Sequence, residues 1–462
     1  SGNLVLQGSS VVTKMSIQGG TVTINNGSPS KSVELKNGTL VDNVFNSTHP
    51  SINVTADCTA TWKLSPSYYQ AYENSLTGSG TITIIPTNTV CRSRVTGNWS
   101  AFTGTIKHNT AAIWFPLDAS TGLPNGTLNL AADCGMTNTC KSFTIGKLTG
   151  SGKLCQPISN FTSSAAVSGN NTWNVGNSSD ELGDFTWSGI VYDENGTCKT
   201  NFCKVGTCKM TVSGAWQNHG TTRVNAGELH INSGATIGYG TLTVAEGATL
   251  SGVSKSVVPM TNSLFTINGT LDVGITSTVS SGYMNFNGKD VTFGENSNLN
   301  IRLRTCATAT TIGNTYITNI GTLKMNGTIN IALNSAYEPT MDAEVADSFF
   351  VWTSVTTMSG TPKLSLPELP VYNYWDTSRI NEGILLVRFD KDKYEIYANG
   401  INSLSSQETV TVVAANGVAM GKYNCTANTI MVNLHDLQLC KGIYLLNIVS
   451  ESGKKFTLKY TK

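Results

Sequence analysis

The residues of this chain that could do chemistry are thinly spread. Acids gather once, in Asp180-Glu181-Leu182-Gly183-Asp184, within a Ser/Gly-rich stretch ahead of a strand-like segment. Such a loop could hold calcium through carboxylate and carbonyl oxygens. It could also supply the carboxylate pair that glycoside hydrolysis needs ~5 to ~9.5 Å apart. A solvated turn has the same composition. Arg223, facing outward beside Glu228 or Glu246, is the base a polysaccharide lyase would want. The five histidines, His49, His108, His219, His230 and His435, show no metal-ligand spacing. His230 alternates with Leu229 and Ile231, so its ring is expected to face solvent. No catalytic residue, metal or cofactor is assigned.

Eleven cysteines leave at least one unpaired if the rest form disulfides. Cys198, Cys203 and Cys208 sit five apart, wider than the usual spacing of zinc ligands. Disulfides or buried thiols are the expected states. Cys134 with Cys140 and Cys425 with Cys440 are near enough in sequence to bridge. Aromatic side chains offer the remaining chemistry, stacking on sugars. Tyr68, Tyr69 and Tyr72 cluster in an irregular insertion after Trp62, and are the candidate ligand-binding residues. Packing over a coil end is the other reading of the same rings.

The elements that must position these groups announce themselves by repetition. Gly-Thr-(Leu/Ile/Val) recurs at Gly20, Gly38, Gly80, Gly104, Gly126, Gly240, Gly269, Gly321 and Gly327. Each copy opens a period-two alternation of polar and apolar residues, the signature of a strand. The intervals from Gly38 through Gly126 are 42, 24 and 22 residues. The last two fit one turn of a β-solenoid, and the first is close to two. A short strand cannot bury its apolar face alone, whereas stacked copies create a continuous interior. Asn-Gly pairs at Asn37, Asn125, Asn268 and Asn326 read as corners of such coils, or as hairpin turns. The best helix signal is the short stretch Pro66 to Asn74.

Composition agrees with an exposed polar rod. Charged residues are 13% of the 462, about half the usual share. Lys plus Arg is 30 and Asp plus Glu is 29, a net charge of +1, which argues against nucleic acid and anionic membranes as partners. No apolar run is long enough to span a bilayer. Ser1-Gly2-Asn3 lacks the basic start and apolar stretch of a signal peptide, so a mature or trimmed chain is expected.

One segment is specific enough to resemble a family. Lys204-Val205-Gly206-Thr207-Cys208-Lys209-Met210-Thr211-Val212-Ser213-Gly214, then Val224-Asn225-Ala226-Gly227-Glu228-Leu229 and Leu242-Thr243-Val244-Ala245-Glu246-Gly247-Ala248-Thr249-Leu250-Ser251-Gly252, closely resemble the autotransporter-associated β-strand repeat of bacterial surface passengers. Cys208 stands where that repeat usually has Gly. Weaker echoes occur around Trp99 to Ile106, Leu148 to Leu154 and Phe185 to Ile190, and Leu366 to Leu385 looks like the segment that closes such arrays. The resemblance implies a right-handed parallel β-helix exported to the cell surface.

After Asp390-Lys391-Asp392-Lys393 the character changes. Ala415-Asn416-Gly417, Leu439-Cys440-Lys441-Gly442-Ile443-Tyr444-Leu445 and the basic ending around Lys459 resemble the C-terminal sorting domain of the type IX secretion system of Bacteroidetes. That resemblance implies a small β-sandwich read by the export machinery, with Gly417, Gly442, Tyr444 and Lys459 in the signal. An ordinary cap on the solenoid end is the alternative.

The expected protein is therefore all-β: a right-handed parallel β-helix over residues 1–389, then a small C-terminal β-sandwich over 390–462. Its expected role is that of a secreted, outer-membrane-associated surface protein, an adhesin-like stalk or interaction module. Its expected partners are the type IX machinery and extracellular glycans or surface components. The rival readings are a carbohydrate-active enzyme with a groove along one face, and a glycan-binding module.

Overall fold

The computed structural model describes the chain apart from residues 1, 8–11, 26–29, 45–48, 65–70, 87–93, 110–113, 118–121, 139–141, 156–169, 194–198, 254–259, 275–281, 304–312, 334–336, 341, 343, 370–372, 391–393, 398–408, 414–417, 427–428, 433–442, 451–454 and 462. It divides into two compact units. The first comprises Ser1–Arg302, Thr315–Ile331 and Trp352–Ser365, and the second Leu303–Asn314, Ala332–Val351 and Leu366–Lys462.

The first unit is a parallel β-helix. Its spine is a sixteen-stranded sheet running from Asn3–Leu6 to Trp352–Ser359, in which neighbours are never consecutive along the chain. An eight-stranded sheet, from Phe185–Trp187 to Lys363–Ser365, forms another face. Shorter four- and six-stranded sheets, beginning at Val12–Ile17 and ending at Ile190–Tyr192 respectively, cover the earlier coils. Thr21 pairs with Thr39, Thr39 with Thr61, Thr81 with Thr105 and Thr105 with Thr127, all in parallel. The Asn-Gly pairs at Asn37, Asn268 and Asn326 are thus corners and not hairpin turns, and Asn125-Gly126 lies at a register irregularity within the strand Leu123–Leu130.

The recurring tripeptide has a physical cause. Its Thr opens a strand at Thr21, Thr39, Thr81, Thr105, Thr241, Thr270 and Thr328. Its Gly is the corner where successive coils approach most closely. The Thr105 amide donates to the carbonyl of Gly80 at 3.1 Å, and the Thr127 amide to that of Gly104 at 2.9 Å. A Cβ on Gly104 would lie 2.0 Å from the Gly80 oxygen, and one on Gly240 1.8 Å from the Gly220 oxygen. No side chain fits there, so the constraint is the contact between coils.

Alternation then sends every second side chain inward. Met210, Leu229, Leu250, Leu271 and Leu299 stack in register, one per coil, and each is fully buried. Each such residue contributes about 1.5–3 kcal/mol by leaving water. Coil length varies while this ladder persists. The separation is 18 residues between Thr21 and Thr39, 24 between Thr81 and Thr105, and 35 between Thr318 and Thr353.

The second unit is antiparallel. Ile384–Phe389 pairs with Ala346–Phe350 on one side and Asn373–Asp376 on the other. A six-stranded sheet holds Tyr394–Tyr397, Thr429–Val432, Ala419–Thr426, Thr409–Val413, Ile443–Ser450 and Lys455–Thr461, in that spatial order. The second unit thus takes in Ala332–Val351 and the segment from Leu366 onward, whose strands Ala346–Phe350, Asn373–Asp376 and Ile384–Phe389 form one antiparallel sheet. Of the stretch Pro66 to Asn74, residues 66–70 lie outside the described residues, and Ala71–Tyr72 is a strand of the six-stranded parallel sheet, not a helix.

Candidate functional site

The richest cluster of reactive side chains among the described residues lies on the eight-stranded face. Inward Met210, Leu229, Leu250 and Leu271 leave two outward columns. One runs Lys209, Glu228, Thr249, Thr270, and the other Thr211, His230, Ser251, Asp272. Glu228 Oε1 accepts from Lys209 Nζ at 2.8 Å and from Ser251 Oγ at 2.5 Å. His230 Nδ1 stands 2.7 Å from the same Ser251 hydroxyl and 3.7 Å from Glu228 Oε1. One column position on, Asp272 takes a bidentate pair from Arg302, at 2.5 and 2.8 Å.

The wiring decides what this group can do. A carboxylate only accepts, so the Ser251 proton points at Glu228, and Ser251 in turn accepts from His230 Nδ1. A nucleophilic serine needs the reverse, with histidine taking the hydroxyl proton. Ser251 is also only 5% exposed. The Glu228 carboxyl is drawn down to about 2, by His230 foremost and then by Lys209 and Ser251, against the opposing effect of burial. At 3.7 Å the histidine acts electrostatically, and the two shorter contacts are the true hydrogen bonds. A carboxyl titrating there has no proton to give near neutral pH, whereas a glycosidic general acid needs a raised value. The arrangement is a polar clamp across three coils.

This cluster corrects two sequence expectations. His230 does point away from the interior, but it is buried under its neighbours' polar side chains and not solvated. Arg223 belongs to the sixteen-stranded sheet, paired beside Cys203 and Thr243, and not to the face that carries Glu228. The grouping of Glu228, His230 and Ser251 was hidden in the sequence, because Ser251 joins it only through the parallel register of the next coil.

The acidic loop borders an open cleft of about 330 Å3 lined by Asn177, Ser178, Ser179, Asp180, Gly183, Asp184, Thr207 and Cys208. Its polar groups are spent on the turn itself. Asp184 accepts from the Lys209 amide at 2.7 Å, Asn177 from the Ser179 amide at 2.9 Å, and Ser178 from the Thr207 amide at 3.2 Å. Asp180 and Glu181 point to solvent. Among the described residues no three His, Cys, Asp or Glu side chains converge as metal ligands. Cys203 and Cys208 are buried free thiols, and Cys198 lies outside the described residues. Cys140 and Cys440, the expected partners of Cys134 and Cys425, also lie outside them.

Behind the cleft is an unexpected cation. Lys204 stacks between Val175 and Val224 at an inward position and is fully buried. Its ammonium donates to the carbonyls of Val205, Gly206 and Ala226 at 2.8, 2.9 and 3.2 Å, which gathers corner oxygens of two coils. A second interior polar group breaks the alternation at Asp42. Its carboxylate meets His49 Nδ1 at 3.0 Å and Asn74 Nδ2 at 3.3 Å, all three residues being buried. The signal in both cases is a charged residue at an apolar inward position of a strand.

The proposed sugar platform fares differently at each residue. Tyr68 and Tyr69 lie outside the described residues. Tyr72 is fully buried, its ring edge-on to Trp62 and 4.7 Å from the His49 ring. It offers no face to a ligand and is a core residue, because it occupies an inward strand position. An exposed stacked pair does exist at a corner: Tyr239, 42% exposed, lies 5.1 Å from the His219 ring, which Asp193 orients at 3.1 Å. Of the sorting-signal residues, Gly417 and Gly442 lie outside the described residues. Tyr444 pairs with Tyr460 and Lys459 with Leu445 in the last antiparallel ladder. No protein-family model and no curated protein matches the chain.

Proposed function

We propose that this chain is a secreted, surface-displayed solenoid that acts as a stalk or interaction module, exported through its C-terminal segment. One observation carries the reading. The parallel spine presents an outward Thr ladder, while the charged groups of the neighbouring face are tied to one another. Such a surface suits many weak polar contacts in a row. It lacks a carboxyl poised to donate a proton at Glu228, the acid best placed in the cluster. Extracellular glycans fit as partners, since a hydroxyl ladder matches their hydrogen-bonding groups. The resemblance of residues 390–462 to a type IX sorting domain supports the route of export and an outer-membrane location.

The test is to remove residues 391–462 and express the shortened chain in a host with that secretion route. Retention in the periplasm is expected. Unchanged surface display overturns the export reading, and release of sugar fragments from a polysaccharide panel by the full chain overturns the non-enzymatic one.

A further inference from the structure

Cys208 sits between a solvent cleft and a dry amine. Cys208 lines the cleft beside Asn177, Gly183 and Thr207. Its sulfur accepts from the Asn177 amide at 3.3 Å. The adjoining residue is Gly176, where an added Cβ would lie 3.2 Å from Lys204 Nζ. Sulfur and amine therefore converge on the same peptide unit, from residues only four apart. The intervening turn folds back on itself through Gly206, at φ +68°.

We propose that Cys208 and Lys204 are the two halves of an oxidative cross-link, in which hydrogen peroxide entering the cleft joins Sγ to Nζ as a sulfenamide. The chemistry balances in two steps. The Cys208 sulfur attacks one peroxide oxygen, the O–O bond breaks, and the thiol proton leaves with the departing hydroxide as water. Sulfur is now a sulfenic acid, which condenses with nitrogen nucleophiles. The Lys204 ammonium gives one proton to solvent, its freed lone pair attacks sulfur, the S–O bond breaks, and that hydroxide leaves with a second amine proton as a second water. One peroxide is reduced to two waters and the protein loses two hydrogens besides the proton given to solvent.

The surroundings favour this course over further oxidation. Burial lowers the Lys204 amine from its ordinary value, which eases the loss of the ammonium proton that covers its lone pair. Two N–H bonds of the neutral amine still serve two of the three corner carbonyls. The product pins residues 205–207, at the edge of the cleft, to the solenoid interior.

The test treats the full chain with hydrogen peroxide, blocks remaining thiols and digests with trypsin. A cross-linked Lys204 resists cleavage, so residues 200–209 are expected as one peptide. That peptide should be lighter by two hydrogens and carry a single blocked cysteine. Phosphine reduction should restore cleavage after Lys204. Cys203→Ser should retain the cross-link, and Cys208→Ser should abolish it. The proposal is overturned if oxidised protein releases 200–204 and 205–209 separately with Cys208 as sulfinic acid. A Cys203–Cys208 disulfide, recognised by the absence of any blocked cysteine, overturns it equally.

Discussion

Replacing Glu228 by Gln removes the charge that Lys209 and His230 face while keeping the shape and the acceptor for Ser251. The carboxyl titrates at about 2 in the folded chain against an ordinary 4.5. That gap corresponds to roughly 3 kcal/mol at full strength. The side chain is 30% exposed, so screening by water reduces the figure to about 1–2 kcal/mol. The sign follows from proton binding. A depressed carboxyl stabilises the fold fully above about 4.5, and the benefit disappears as pH falls from there towards 2. Glu228→Gln should therefore weaken the protein at pH 7 and converge with the parent near pH 2. The loss should concentrate in the coils containing Glu228–Ile231 and Thr249–Gly252, since solenoid repeats depend on their neighbours. Amide hydrogen exchange of those strands, alongside urea midpoints across the pH range, reads both effects. A difference between parent and variant that is the same at pH 7 and pH 2 refutes the reasoning.

Gly104→Ala should cost about 1–3 kcal/mol through its clash with the Gly80 carbonyl, while Gly19→Ala, with nothing within 4 Å, should be near neutral; urea midpoints compare them. Leu250→Ala, in the middle of the buried column, should cost about 2–5 kcal/mol in the same assay. Lys204 binds fewer protons folded than unfolded between its lowered value and 10.5, so the parent should gain stability relative to Lys204→Met as pH rises towards 10.5. Denaturation at pH 7 and pH 10 measures this, and a gap that closes in the opposite direction contradicts the buried-ammonium account.

What could be read from the sequence was what each coil repeats. Period-two alternation and the Gly-Thr corner each have a local cause, burial of one strand face and close approach of two backbones, so they survive in the string of residues. What could not be read was which side chains lie one above another. Ser251 meets Glu228 and His230 because their coils register in parallel, and unequal coil lengths hide that offset. Tyr72 looked like part of an exposed cluster because the strand Ala71–Tyr72 is too short to show alternation. His230 was read correctly for direction and wrongly for exposure, since a polar network over an outer face leaves no trace in the pattern.

The unequal turns have a consequence for how such a molecule can change. Strand register is maintained whether 18 or 35 residues separate stacked partners. Lengthening a connecting arc adds only about 0.6 kcal/mol of closure entropy per doubling. Arc size is then nearly a free variable, and foreign peptide could be spliced between strands without disturbing the ladder. New recognition features can in this way arise one rung at a time, on a scaffold that need not be redesigned to carry them.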